Sequence, residues 1–159
     1  MATLTATKGR TVAARPAVGE AGSVKCQIET YSLAANPTAG DDLEMLWLPP
    51  NARVIGGTLY ADDIDTNATE TLEMDVGWYN NGVDAADPDG FLDSGALNGD
   101  VVTNYNTTGG TIIPLQETLV LNGSKKFTVA TKIGITFVDA AATFAAGDIT
   151  LRVDYIIDA

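Results

Sequence analysis

Carboxylates are the reactive groups this sequence supplies in quantity. It has 21 Asp and Glu against nine Lys and Arg, a formal charge of −12, no His and a single Cys. Two clusters stand out: Asp62, Asp63 and Asp65 beside Asn67, and Asp84, Asp87 and Asp89 ahead of Gly90. Clustered Asp in loops is the hard-oxygen ligand type that suits Ca²⁺. A spaced carboxylate pair supports glycosidase or aspartic-protease chemistry. Neither cluster carries the rest of such a site. The second has no Glu at the closing position of an EF-hand loop, and Asp65-Thr66-Asn67 departs from the Asp-Thr-Gly of aspartic proteases. Without His there is no imidazole base or ligand, and one Cys rules out a thiolate zinc site. No Gly-rich phosphate loop occurs. The expectation is a non-enzymatic protein with no cofactor, whose Asp residues form turns by bonding nearby backbone.

Charge placement narrows the partners. Residues 60–100 hold eleven Asp and Glu and no Lys or Arg. Such a surface repels phosphate backbones, which argues against nucleic acid. The first 30 residues are slightly basic, with Lys8, Arg10, Arg15 and Lys25 against Glu20 and Glu29. No apolar run is long enough for a spanning helix, and the start lacks the apolar centre of a secretory signal, so no membrane partner is expected. Sequons at Asn67, Asn106 and Asn122 carry little weight without such a signal.

The elements that must position these groups are strands. Thr58 to Tyr79 reads as strand, acidic turn, strand, with Leu72, Met74, Val76 and Trp78 alternating against Glu73, Asp75 and Gly77. Alternation at every second residue marks one dry and one wet face. Val24, Cys26 and Ile28 alternate with Lys25, Gln27 and Glu29, which predicts a strand to Leu33 with Cys26 as a buried core thiol. Leu43–Leu48 reads as a strand buried on both faces or at a sheet junction, ended by Pro49 and Pro50. Arg53–Tyr60 reads as a strand whose Gly56-Gly57 marks a bulge or a close backbone approach. The stretch 80–100 reads as irregular, with Phe91, Leu92, Ala96 and Leu97 in one helical turn. Val101–Tyr105 and Thr111–Leu121 read as strands, the latter edge-like at Pro114, followed by a turn at Asn122-Gly123. Phe127–Phe137 and Ile149–Ile157 alternate so regularly that they read as long antiparallel partners.

That makes about eight strands and almost no helix. The fold class expected is all-β: a single antiparallel β-sandwich, jelly-roll-like. It spans residues 23–159, behind an extended N-terminal arm at 1–22. The arm's Val12 and Val18 lack an obvious core partner, and Phe144 sits in an Ala-rich link that looks under-buried. Lys8, Arg10, Val12, Arg15, Val18 and Phe144 are therefore the candidate assembly contacts.

One segment points to a family. Leu48, Pro49, Ala52, Arg53 and Val54, then Asp65, Thr66, Asn67, Leu72, Asp75, Val76 and Gly77, resemble a pattern in small virion proteins of tailed bacteriophages. There a Leu-Pro-x-x-Ala-Arg-Val strand precedes an Asp-Thr-Asn turn and a Leu-x-x-Asp-Val-Gly strand. The resemblance covers about 30 residues. It implies a capsid decoration (cement) protein on the head surface, assembled in the host cytoplasm. The implied partners are the major capsid protein and further copies of the chain, as a homotrimer. A neck, tail or fibre-adaptor protein is the alternative within that group. A carbohydrate-binding module is the alternative outside it, with Trp47 and Trp78 as the aromatic candidates, although both lie on strand phases expected to be buried.

Overall fold

The computed structural model describes residues 2–6, 23–93, 111–115 and 124–158. Ten strands form two sheets, with no helix among the described residues: β1 (Thr3–Thr5), β2 (Lys25–Leu33), β3 (Asp42–Leu48), β4 (Ala52–Ala61), β5 (Glu73–Trp78), β6 (Asp87–Leu92), β7 (Thr111–Pro114), β8 (Lys126–Phe127), β9 (Thr131–Asp139) and β10 (Gly147–Ile157). One sheet runs β1-β3-β9-β5-β6. The other runs β2-β10-β4-β7, with β8 also on β4. Setting aside β1 and β8, the remaining eight strands follow jelly-roll winding: β2 pairs β10, β3 pairs β9, and β5 pairs β6, all antiparallel.

This winding corrects one expectation. The strands around Phe137 and Ile149 are not partners; β9 lies in one sheet and β10 in the other. Nor is 127–137 one strand. Lys126 and Phe127 pair with Arg53 and Ala52 on β4, and the chain then crosses to β9 in the opposite sheet. Alternation reports two faces but says nothing about the neighbour, and here both strands are central, each flanked by others.

The core is built as the alternation predicts. Leu72, Met74, Val76 and Trp78 are buried, as are Ile149, Leu151, Val153, Tyr155 and Ile157. In β3, a bulge between Glu44 and Leu46 turns both Met45 and Leu46 inward, so the apolar run has one buried face rather than two. Trp47 then points outward and is half-buried. Phe91 and Leu92 are buried in β6, a strand rather than the expected helical turn. Pro114 ends β7 at the rim of its sheet, as the sequence predicts. Ala96, Leu97, 101–105, 116–121 and the Asn122-Gly123 turn lie outside the described residues.

The strand β2 overturns a second expectation, because its phase is reversed. Gln27 and Glu29 are buried, while Val24 is 67% exposed, Ile28 is 49% exposed and Cys26 is exposed. Pairing with β10 sets this register: Gln27 stands opposite the buried Val153 and Cys26 opposite Asp154. A one-residue slip would move every side chain to the other face. The Gln27 amide is satisfied inside by donating from Nε2 to the Trp47 carbonyl at 2.7 Å.

The arm read at 1–22 begins inside a sheet. Thr3–Thr5 pair in parallel with Asp42–Glu44. Asp41 anchors this start, accepting from Ala2 N at 2.7 Å and Thr38 N at 3.0 Å. Those bonds, Thr38 first, hold its carboxyl below the usual range. Residues 7–22 lie outside the described residues.

Gly56 and Gly57 combine both predicted roles. The ladder to β10 shifts register between Asp154 and Tyr155, across from Gly56. A Cβ on Gly57 would stand 2.4 Å from the Arg152 carbonyl oxygen and 2.7 Å from Leu115 Cδ1, whereas one on Gly56 meets nothing nearer than 4.0 Å. Gly57→Ala should cost at least about 2 kcal/mol by urea denaturation, against a change within about 0.5 kcal/mol for Gly56→Ala. Equal effects would contradict the close approach. The reversed phase of β2 is checked by thiol labelling: native protein without denaturant should react with a maleimide at Cys26. Burial and the neighbouring Asp154 push that thiol's pKa up, so the rate should rise through mildly alkaline pH.

Candidate assembly surface

The acidic turn opened by Asp62 is a crossover between sheets. Residues 62–72 carry the chain from β4 to β5, residues 34–41 from β2 to β3, and residues 140–146 from β9 to β10. All three crossovers meet at one end of the sandwich. Asp65 is buried there, with 5% of its surface exposed. Its Oδ1 accepts from Thr143 N at 2.9 Å and Asn67 N at 3.3 Å. Its Oδ2 accepts from Thr71 N at 2.8 Å, Ala142 N at 2.9 Å and Leu72 N at 3.2 Å. One carboxylate thus takes five backbone N–H groups from two crossovers. The third is joined by Asn36, whose amide donates to the Ala141 carbonyl at 2.9 Å and accepts from Ala141 N at 3.1 Å.

Phe144, expected at an exposed loop tip, sits on this joint. Its backbone bridges Asp65, and its side chain is half-buried against the core. Thr66 N donates to the Thr143 carbonyl and Ala145 N to the Ile64 carbonyl, both at 2.9 Å. The loop is therefore held from both sides and presents only part of the ring outward. Lys8, Arg10, Val12, Arg15 and Val18 lie outside the described residues.

Asp62 and Asp84 also have local partners, whereas Asp63 Oδ1 is buried without a hydrogen-bond partner among the described residues. Asp62 accepts from Asp148 N at 2.8 Å and from the Tyr60 hydroxyl at 2.9 Å. Asp84 pairs with Lys125 at 2.8 Å and accepts from Asn81 Nδ2 at 3.0 Å, and these two neighbours hold its carboxyl below the usual range. Lys125 also lies 4.8 Å from the Trp78 ring centre, above a cluster of Trp78, Phe91 and Phe127. Burial, then Asp89, pushes the Asp87 carboxyl up, against the opposing charge of Lys125. Among the described residues no three acidic or thiol side chains converge as a metal-ligand set. Asp65 and Asp84 serve as joint and cross-link, near the role the turn chemistry predicts, whereas Asp87 and Asp89 lie in strand β6 rather than in a turn.

What faces outward differs between sheets. The β2 side of its sheet presents Val24, Cys26 and Ile28, with Ile55 beyond them on β4. Sequence reasoning missed this stripe because the same residues looked like core. The other sheet presents polar side chains in cross-strand pairs, including Thr136 donating to Asp42 at 2.8 Å and Lys132 paired with Glu44 at 2.5 Å. The two tryptophans divide: Trp78 is buried, with Nε1 donating to the Ala85 carbonyl at 3.0 Å, and Trp47 is half-buried on the outer face, 5.3 Å from Lys132 Nζ.

Asp65 gives a pH prediction with a definite sign. Burial raises its pKa, but the N–H groups of Thr71, Thr143, Ala142 and Asn67 outweigh it, so the folded value lies below the ordinary one. A depressed folded pKa contributes stability that is present above the unfolded value near 3.9 and lost as pH falls through the folded value. Asp65→Ala should cost about 2–4 kcal/mol at neutral pH, since it strands buried donors. Asp65→Asn should also destabilise, because its NH₂ would face N–H groups. Both should flatten the acid limb of a stability–pH curve. An unchanged acid limb would mean the joint is not ionised in the folded state.

No protein-family model and no curated protein sequence matches the chain. Two solved structures do. A chain in the capsid of Ralstonia phage GP4 matches over 99% of both chains at 21% identity, with a TM-score of 0.76. A chain in the capsid asymmetric unit of cyanophage Pam1 matches over 89% of this chain and 90% of that one at 26% identity, with a TM-score of 0.63. The structural neighbours of this jelly roll are thus chains of phage capsids.

Proposed function

We propose that this chain is a structural protein of a phage virion, a decoration or cement protein that binds the outside of the capsid and stabilises contacts between capsomers. The observation that carries this reading is the near end-to-end likeness to a chain of a phage capsid. The match to the Pam1 capsid and the virion-protein pattern at residues 48–77 support it independently. The surface chemistry is compatible: among the described residues no three acidic or thiol side chains converge as a ligand set, and Asp65 and Asp84 serve as joint and cross-link.

In this reading the partner is the major capsid protein, with self-association as a homotrimer on the head surface. The basic arm residues Lys8, Arg10 and Arg15, with Val12 and Val18, are the capsid-facing contacts, and Phe144 is a second contact beside the crossover joint. Closed symmetry would let one patch be used repeatedly across the shell.

Electron microscopy of the native particle tests this directly. The expected result is density for this chain in many symmetric copies over the capsid faces. Density confined to one vertex or along the tail would instead make it a neck, tail or fibre-adaptor component. For the arm, Lys8→Glu, Arg10→Glu and Arg15→Glu together should weaken cosedimentation with capsids by at least tenfold while leaving the unfolding midpoint in place. Unchanged binding would remove the arm from the interface.

A further inference from the structure

We propose that the outer face of the β1-β3-β9-β5-β6 sheet is a docking groove for an extended, basic, proline-bearing segment of a partner polypeptide. The groove has a structural cause. Gly77 and Gly134 stand opposite each other on β5 and β9, so neither strand raises a side chain of its own there, and the Asp87–Pro88 backbone lies over Gly77. A Cβ on Gly134 would lie 2.4 Å from the Leu43 carbonyl oxygen, 2.6 Å from the Tyr79 hydroxyl oxygen and 2.7 Å from its Cε2, so the phenol ring lies against this glycine. The resulting hollow is about 200 Å³, walled by Asp42 and Thr136 on one side, Ala86 and Pro88 on the other, with Tyr79 at its end. Beyond Tyr79 a wider hollow of about 680 Å³ continues along Asn80, Asn81, Glu44 and Lys132.

Shape and charge choose the occupant. The first hollow is smaller than the roughly 300 Å³ at which small-molecule pockets begin, and its continuation makes a trough rather than a hole. Troughs walled by aromatic rings suit polyproline II segments, whose backbone is already extended and leaves few amides to desolvate. Pro88 and the Tyr79 ring provide that kind of wall.

The rim is net negative. Lys132 is paired with Glu44, which leaves Asp42 as the uncompensated charge. Among the described residues the Asp42 carboxylate accepts only from Thr136 Oγ1, through Oδ1, so Oδ2 can take a guanidinium. A chain charge of −12 adds attraction for cations and repels anionic partners. The Tyr79 hydroxyl donates to the Ile135 carbonyl at 3.5 Å, which ties the ring to β9, and burial, then the charges of Asp42 and Glu44, raises its pKa far above the ordinary value.

The isolated protein tests this without any virion, so a failed capsid experiment leaves the result readable. A fluorescein-labelled peptide of alternating Arg and Pro should bind saturably by anisotropy at low salt. Replacing its Arg with Glu, or its Pro with Ala, should abolish or strongly weaken binding. Asp42→Asn and Tyr79→Ala should each weaken it about tenfold, and Tyr79→Phe should retain it. Should Tyr79→Ala lose its fold by circular dichroism, Asp42→Asn against Tyr79→Phe decides. No saturable binding, equal binding of the Glu peptide, or indifference to Asp42→Asn would overturn the proposal. Saturable binding of a neutral oligosaccharide with no response to the Arg peptide would also overturn it and reassign the trough to glycans.

Discussion

The Asp65 carboxylate is the constraint on which this jelly roll depends. The winding sends most consecutive strands to opposite sheets, so the chain must cross between layers repeatedly, and each crossing leaves backbone N–H groups without ladder partners. Three crossings converge at one end. Asp65 satisfies five of the resulting donors from two of them. Asn36 makes a reciprocal pair with Ala141 and draws in the third. A carboxylate suits this position because it offers two acceptor oxygens and no donor, whereas an amide must present a donor as well. The charge is tolerated in a buried setting because oriented N–H dipoles surround it.

The opposite end is held by different chemistry. Trp78, Phe91 and Phe127 pack at centroid distances of 5.1 to 6.3 Å, and Lys125 covers two of the rings while pairing with Asp84. Arg53 donates from Nε to Asp158 at 2.9 Å, and the same carboxylate accepts from Arg53 Nη2. This fastens the end of the chain to β4. The two ends are therefore held by different forces: directional bonds to one anion at the crossover end, and aromatic packing capped by a cation at the other.

Much of this was legible in the sequence, and the misreadings of β2, β9 and β10 share one physical origin. Period-two alternation correctly located β5 and β10, Pro114 marked an edge, and Gly56-Gly57 marked both a bulge and a close approach. Alternation cannot say which of two faces is inward when a strand sits at a sheet rim. In β2 the apolar Val24, Cys26 and Ile28 face out, because pairing with β10 sets the register and Gln27 finds a carbonyl inside. Alternation is equally silent on partners, so β9 and β10 looked like a hairpin although the winding separates them. The trough had no sequence signal as a site. Gly77 and Gly134 are 57 positions apart, and only the β5–β9 register brings them together.

The virion-protein pattern was readable at low overall identity for a related reason. Its distinctive polar and glycine positions do structural work. Arg53 ties β4 to the end of the chain, Asp65 joins the crossovers, and Gly77 lets β6 approach so closely that a Cβ would stand 1.9 Å from the Asp87 carbonyl oxygen. Each requirement is met by very few residue types: a bidentate cation, a donor-free double acceptor, and a residue without a side chain. Apolar core positions, by contrast, accept exchanges of similar volume and drift. A short motif of this kind encodes a fold's joints rather than its chemistry. It therefore carries information about the architecture, which the phage capsid chains share.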